Sequence, residues 1–319
     1  EINGFLERAK FMIEIAPAYL RDITIFNNTT TTKAIHRVPL GVILIIPAWN
    51  YPYLTSINSL ITALLSGNSV IFKGSSQTPF TGEIYQKCFR SAGLPENVFT
   101  NLYLDHKTTG KIVSDNRINS VSFTGSVNGG CTISNQANDY NLFGINKQKS
   151  IGFKTTTLEL GGKDPAYVRS DADLEFAANE ISSGTFFNSG QCCCAVERVY
   201  VHHSVYHQFL DLLKKKAEQT ILGNPLDSNT TMGPMAKKGS ADHIRTKIQQ
   251  AIKEILEEET WKHLKTNNNF DKVLSIASLI DKYDPGPDPC YEDCRGMCFG
   301  CYDGYTFSLD WRDSSNLRE

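Results

Sequence analysis

The run Gly41-Val-Ile-Leu-Ile-Ile46 is the feature that most narrows the folds open to this chain. Five consecutive large aliphatic side chains leave no polar face, so a strand built from them must be covered on both sides, as in a parallel sheet. The sequence that follows has the matching rhythm. Its spacing predicts a helix over 53–66 with Gly67 as its stop, and a strand over 69–73. A helix over 80–92 closed by Gly93 and Pro95, and strands over 98–103 and 120–124, come next. Strands alternating with helices in this way argue for parallel βαβ units, whose ligands bind beyond the carboxyl ends of the strands. Asn50, Lys73 and Gly125 all fall at such ends.

A second stretch is expected from about residue 155, with a strand over 156–160 ending in Gly161-Gly162 and a helix over 171–188. A strand over 198–202 and an amphipathic helix over 205–221, stopped at Gly223, complete it. Between the two stretches the Asn- and Lys-rich segment 138–154 reads as a long loop, and the threonine run in 27–33 as an exposed edge strand or hairpin. After about residue 256 the pattern is lost, and a cysteine-rich tail begins. The expected domains are therefore 1–158, including a hairpin at 22–39, then 159–256, then a tail over 257–319. A length of 319 residues is enough for two domains.

Lysine and arginine total 32 against 34 acidic residues, so a basic nucleic-acid-tracking or membrane-binding face is not the first reading. No apolar run reaches the roughly 18 residues of a membrane span. Nine cysteines, an odd count with three adjacent at 192–194, suit a reducing compartment and a cytoplasmic location better than a disulfide framework. The chain opens at Glu1 without a methionine and reads as a fragment.

Four segments carry chemistry. Phe187-Asn-Ser-Gly-Gln-Cys-Cys-Cys-Ala-Val-Glu-Arg198 offers a thiol at a helix end beside glycine-enabled backbone N–H groups, where a thiolate becomes nucleophilic; the alternative is ordinary cysteine in a core. In Thr157-Leu-Glu-Leu-Gly-Gly-Lys163 a glutamate stands between leucines, which tunes a carboxylate toward general-base work if its surroundings are apolar; the alternative is an edge strand with Glu159 in solvent. Pro47-Ala-Trp-Asn-Tyr-Pro52 puts an amide donor at a strand end, suited to an oxyanion. Ser122-Phe-Thr-Gly-Ser-Val-Asn-Gly-Gly130 is a strand running into a glycine-bearing helix start, a natural seat for a phosphate.

In this order, and together with Phe72-Lys73, Leu222-Gly-Asn-Pro-Leu-Asp227 and Met232-Gly-Pro234, these segments resemble the NAD(P)-dependent aldehyde dehydrogenase family from about residue 1 to 255. The spacing from Glu159 to Cys193 matches the family as well. The resemblance implies an α/β fold, with a Rossmann-type parallel sheet for the cofactor and a second, truncated α/β catalytic domain. It implies Cys193 as the nucleophile that adds to an aldehyde carbonyl, with the Asn50 amide and the Cys193 N–H holding the oxyanion. Glu159 would activate the water that hydrolyses the thioester left after hydride transfer to NAD or NADP. Lys73 would contact the adenosine ribose, Ser126 the pyrophosphate, and Trp49 would line the cleft. Ser76, Gly125, Gly130, Leu160 and Gly161 complete the expected cofactor contacts. The implied partner is a small aldehyde, with neither nucleic acid nor membrane, and a homo-oligomer is doubtful without the family's C-terminal strand.

Several positions depart from the family. Ser76 stands where a glutamate usually binds the ribose hydroxyls, which predicts that NADP is accepted. Ala48 replaces the proline before Trp49, and 141–153 reads as an insertion. The family's N-terminal portion and the second half of its catalytic domain are missing, which predicts exposed apolar faces and poor solubility for the chain made alone. Cys290, Cys294, Cys298 and Cys301 have a density that suits iron–sulfur or zinc ligation, but no metal is expected there. His202, His203 and His207 are expected to be solvated, as is the Lys214-Lys-Lys216 run. The rival readings are a truncated protein without turnover, and an esterase using Cys193 and Glu159 without productive cofactor binding.

Overall fold

The computed structural model describes residues 1–138 and 154–257, with side chains described through 250. Two compact units divide between Leu160 and Gly161. The insertion at 141–153 and the cysteine-rich tail lie outside the described residues.

The first unit is built on β3 (Val42–Ile46). On one side it pairs in parallel with β4 (Ser69–Phe72), which pairs with β5 (Phe99–Asn101). On the other it pairs in parallel with β6 (Ser120–Thr124), which pairs with β7 (Thr155–Glu159). The order β5-β4-β3-β6-β7 means that the chain winds outward in one direction from β3, then returns and winds in the other. Such a reversal leaves a crevice at the carboxyl ends of the strands flanking it.

The apolar run is explained by this position. Ile43 and Ile45 pack on one face with Leu60 and Ala63 of α2 (Leu54–Leu65) and Tyr85 of α3 (Phe80–Ser91). Leu44 and Ile46 pack on the other with Val113 of α4 (His106–Val113) and with Ile133 and Ala137 of α5 (Val127–Ala137). Alternate residues of one strand thus enter separate cores, and no position is left for a polar side chain. Gly41, which introduces β3, has a φ of 121°. A Cβ there would also meet Asn119 Oδ1 at 2.4 Å, and that same oxygen accepts the Val42 N–H at 2.8 Å. Glycine satisfies both demands.

Polar groups in the cores are matched. Ser56, fully buried on α2, donates to backbone carbonyls of the preceding turn and shares a 2.9 Å bond with the Tyr85 hydroxyl. Burial pushes the Tyr85 phenol up, beyond its ordinary range. In front of the sheet, α1 (Ile2–Leu20) sets Phe5 against Tyr53 and Tyr85. Glu1 Oε1 accepts the N–H groups of Tyr53 (2.8 Å) and Leu54 (3.0 Å), capping the start of α2. Lys154 Nζ donates to the carbonyls of Val113 and Asp115 at the end of α4. The threonine-rich segment is the turn of a two-stranded antiparallel hairpin, β1 (Ile23–Asn27) and β2 (Thr32–Ile35), with Asn28 Oδ1 accepting from the Thr30 and Thr31 N–H groups.

In the second unit, β8 (Asp164–Val168) and β9 (Val196–Val201) run parallel. Against them, α6 (Leu174–Phe186) and α7 (Tyr206–Glu218) bury Ala178, Ile181 and Phe209 around Val168. A further helix, α8 (Ser240–Glu257), follows.

Two expectations are corrected. The strand expected to open the second stretch is β7, and it belongs to the first sheet, bonded residue by residue to β6 from Ser120↔Thr155 to Thr124↔Glu159. The helix expected over 171–188 starts at Leu174, where Asp173 caps it through the Phe176 N–H at 3.1 Å. It stops at Phe186 because Asn188 (φ 52°) and Ser189 (φ 59°) turn left-handed. β8 and α4 escape the sequence reading because Asp164-Pro165 disfavours a strand and the Thr108-Thr109-Gly110 triplet disfavours a helix.

The burial of α2 against β3 can be weighed by mutation. Leu60→Ala, which empties a fully buried site, is expected to lower stability by about 2–5 kcal/mol. Leu226→Ala, at a side chain 92% exposed, is expected to change it by less than about 0.5 kcal/mol. Urea unfolding midpoints at constant slope measure both.

Candidate functional site

The first unit gathers most of the candidate residues at one end of its sheet. Trp49 and Asn50, both half-buried, lie in the loop after β3, and the loop is tied to α2 by Thr55 Oγ1 donating to the Ala48 carbonyl at 3.3 Å. Ala48 itself is buried. Lys73 follows β4, and its N–H continues the ladder by donating to Ile45 C=O at 2.9 Å. Burial lowers the Lys73 ammonium from its ordinary pKa, so a poorly hydrated cation stands at the strand end, ready to donate to ligand oxygens. Ser76 is exposed beyond it, in a turn closed by Thr78 N–H on Ser75 C=O at 3.1 Å.

After β6, Gly125 donates its N–H to Glu159 C=O at 3.0 Å, joining the loop to the end of β7. Ser126 then caps α5, its Oγ accepting the Gly129 N–H at 3.1 Å. Gly125 and Gly129 lie against the Phe123 ring, and buried Gly130 against the Leu160 side chain, close approaches that a Cβ would block. A helix N-terminus of this kind attracts phosphate through its N–H groups and dipole. These groups fit a dinucleotide: a turn for its phosphates after β6, a cation after β4, and an aromatic residue after β3, the strand between them.

Glu159 departs from the expectation of apolar surroundings. It ends β7, an outer strand of the described sheet, and its side chain is exposed. The β7 side chains alternate, with Thr156 and Leu158 half-buried and Thr155, Thr157 and Glu159 outward. Leu160 is half-buried, and Gly161 opens the second unit.

Within the second unit, Cys193 is exposed in the turn that carries the chain from α6 to β9. Ala195 N–H donates to Cys192 C=O at 3.3 Å, which places Cys193 and Cys194 at the corners. The turn follows the carboxyl end of α6, where the helix dipole does not favour a thiolate. It is clamped from below. Buried Gln191 donates from Nε2 to Asn188 C=O (3.0 Å) and accepts the Ala236 N–H on Oε1 (2.9 Å). Buried Ser189 donates to Gly233 C=O at 2.8 Å. Two left-handed non-glycine residues in succession cost about 1–3 kcal/mol each, a strain that clusters at functional loops. Lys163, just before β8, and Glu197 of β9 form a largely buried ion pair. Gly162 runs so close beneath the turn that a Cβ would meet the Cys193 carbonyl oxygen at 1.9 Å.

The Gln191–Ala236 and Ser189–Gly233 bonds, the Lys163–Glu197 pair and the Glu1 cap carry no local sequence signal, because each joins segments distant in the chain. The second glycine of Gly161-Gly162 was a usable signal, since adjacent glycines mark close backbone approach. His202 Nδ1 bonds Ser204 Oγ at 2.8 Å, its ring lies 4.3 Å from that of His203, and His207 sits beside Tyr206. Among the described residues no group of three or more His, Cys, Asp or Glu is arranged to hold a metal ion, and no helix is long and apolar enough to cross a membrane.

A doubly wound parallel sheet with a phosphate-ready turn at its switch point defines an α/β protein of the dinucleotide-binding type. The sequence pattern of the aldehyde dehydrogenase family matches residues 1–272, and the chain belongs to that family. It is 30% identical over 264 residues to a sulfoacetaldehyde dehydrogenase of Neptuniibacter caesariensis, covering 83% of this chain and 54% of the relative. It is 37% identical over 219 residues to aldehyde dehydrogenase 1A1 of Mesocricetus auratus, covering 68% and 42%. The solved structure of an aldehyde dehydrogenase from Bacillus cereus superimposes with a TM-score of 0.71 at 31% identity, over 79% of this chain and 49% of that one. The chain spans about half the length of the curated relatives it matches.

Gly162→Ala is expected to destabilise the second unit by more than about 2 kcal/mol, because backbone, not a flexible side-chain tip, must move. It should also alter the rate at which iodoacetamide alkylates Cys193. Thermal unfolding and peptide mapping of the alkylated protein read the two effects.

Proposed function

We propose that this chain is the cofactor-binding and nucleophile-bearing part of an aldehyde dehydrogenase that oxidises an aldehyde to a carboxylic acid. The observation that carries the reading is the convergence of Asn50, Lys73, Ser126 and Glu159 at the carboxyl ends of four adjacent parallel strands, in a chain whose Cys193 is held exposed on a braced turn. Family membership supports it.

In this reading Cys193 thiolate adds to the aldehyde carbon, and the Asn50 side-chain amide donates to the oxygen as it becomes an oxyanion. Bound NAD or NADP supplies the acceptor for the hydride that leaves this carbon. Cys193 then holds the acyl group as a thioester. Glu159 takes a proton from water as the water attacks the acyl carbon, the carbon–sulfur bond breaks, and the carboxylate departs from regenerated Cys193. Glu159 is exposed, and so open to solvent water. Lys73 holds ribose hydroxyls, Ser126 and the first turn of α5 hold the pyrophosphate, and Trp49, Gly125, Gly130, Leu160 and Gly161 shape the surrounding cleft. The substrate is a small aldehyde, and the location is the cytoplasm.

The cofactor choice rests on Ser76. An exposed hydroxyl in the turn after β4 leaves a 2′-phosphate unopposed, where a carboxylate would repel it. Among the similar solved structures, a succinic semialdehyde dehydrogenase of Streptococcus pyogenes is described in complex with NADP+ and a glyceraldehyde-3-phosphate dehydrogenase of Methanocaldococcus jannaschii as complexed with NADP.

The proposal is tested by reduced-cofactor formation from a panel of aldehydes with the purified chain. Cys193→Ala is expected to lower turnover at least about 1,000-fold with unfolding behaviour unchanged. Folded wild-type protein that binds cofactor without turnover would sink the catalytic reading, and ester hydrolysis alone would favour a cofactor-independent esterase. Separately, Ser76→Glu is expected to weaken NADP binding at least about tenfold while sparing NAD, as measured by calorimetric titration.

A further inference from the structure

Three thiols in one turn are more than a single nucleophile needs, and the outer two have a relationship of their own. Cys192 Sγ and Cys194 Sγ lie 3.2 Å apart, in hydrogen-bond contact. The turn between them is pinned at Cys192 N–H on Gly190 C=O (2.9 Å), at Ala195 N–H on Cys192 C=O (3.3 Å), and by Gly162 packed beneath the Cys193 carbonyl. The backbone path of the turn is therefore fixed, and on it the two side chains meet. A disulfide needs them to close by only about 1 Å.

We propose that Cys192 and Cys194 are a peroxide-oxidisable dithiol, a modification site distinct from the Cys193 thiol that they flank. Cys192 is the attacking sulfur. The hydrogen bond to Cys192 and burial push the Cys194 thiol up to about 12, so Cys194 keeps its proton and serves as the resolving thiol. Cys192 thiolate attacks one oxygen of hydrogen peroxide. A sulfur–oxygen bond forms, the oxygen–oxygen bond breaks, and the departing hydroxide takes up a proton to leave as water. Cys194 sulfur then attacks the Cys192 sulfenic sulfur. The sulfur–sulfur bond forms, the sulfur–oxygen bond breaks, and the hydroxyl leaves with the Cys194 proton as a second water. Two thiols lose two electrons and one peroxide becomes two waters.

The alternative disulfides are worse placed. Joining Cys193 to either neighbour bridges adjacent residues and distorts the peptide between them, whereas the outer pair spans the turn that already exists. Cys88 and Cys131, the other described cysteines of the chain, are exposed on α3 and α5.

The test is differential alkylation of the full chain. Protein treated with hydrogen peroxide is quenched in acid, alkylated with N-ethylmaleimide under denaturing conditions, reduced, and alkylated again with iodoacetamide. Tryptic peptide 170–198 is then sequenced by mass spectrometry. The expected result is maleimide on Cys193 and carbamidomethyl on Cys192 and Cys194, with the unreduced peptide lighter by two hydrogens. Cys193→Ser should keep that loss and Cys194→Ser should abolish it. Maleimide on all three residues, a disulfide that includes Cys193, or a disulfide between chains overturns the proposal. If a variant does not fold, the wild-type label positions decide by themselves. Because the readout is label position rather than turnover, the result is independent of the role proposed for Cys193.

Discussion

Everything in the first unit is arranged around the burial of β3 on both faces. Ile43 and Ile45 on one side, Leu44 and Ile46 on the other, each complete a separate core, so helices must cover both faces of the sheet. Helices can reach both faces only if the chain reverses its winding direction, and the strand order places that reversal at β3. The reversal falls at the carboxyl ends of β3 and β6, where the Trp49–Asn50 loop and the Ser126 turn lie and where folds of this kind hold their ligands. A hydrophobic requirement of five residues thereby selects the location of the polar site.

The second unit solves a different problem, which is to expose a thiol without leaving its loop loose. It does so with backbone strain and buried polar clamps. Asn188 and Ser189 adopt left-handed conformations, and the Gln191 and Ser189 side chains bond the 233–236 segment. Each clamp is a buried polar group that would be costly if unpaired, so the loop has one favourable arrangement and few near it. Gly162 closes the remaining space beneath the turn. The turn that presents Cys193 is also the one on which Cys192 and Cys194 are in contact.

Much of this was legible from residues. The apolar run, the helical spacing of 53–66 and the glycine stops predicted the parallel unit, and the strand-end positions of Asn50, Lys73 and Gly125 followed from it. The cysteine loop and the Ser126 cap could be read from local chemistry, because caps and glycine turns act over three or four residues. The β7 strand could not be assigned to its sheet, since parallel partners are separated by long connections and carry no local signal of pairing. Glu159 shows the limit most clearly. Its leucine neighbours suggested a buried carboxylate, but burial depends on what lies on the outer side of β7, and there Glu159 is exposed.

The sequence by itself determined the fold class, the order of most strands and helices, and the family, because each rests on short-range patterning or on motifs contiguous in the chain. The tertiary structure alone decided which sheet β7 joins, that Glu1 caps a helix more than fifty residues away, that Gln191 and Ser189 brace the thiol loop, and that two of three adjacent thiols touch. Each of these depends on backbone paths brought together from distant parts of the chain, or on side-chain directions within a turn whose shape is set by its surroundings. Residue type and spacing do not encode that information locally.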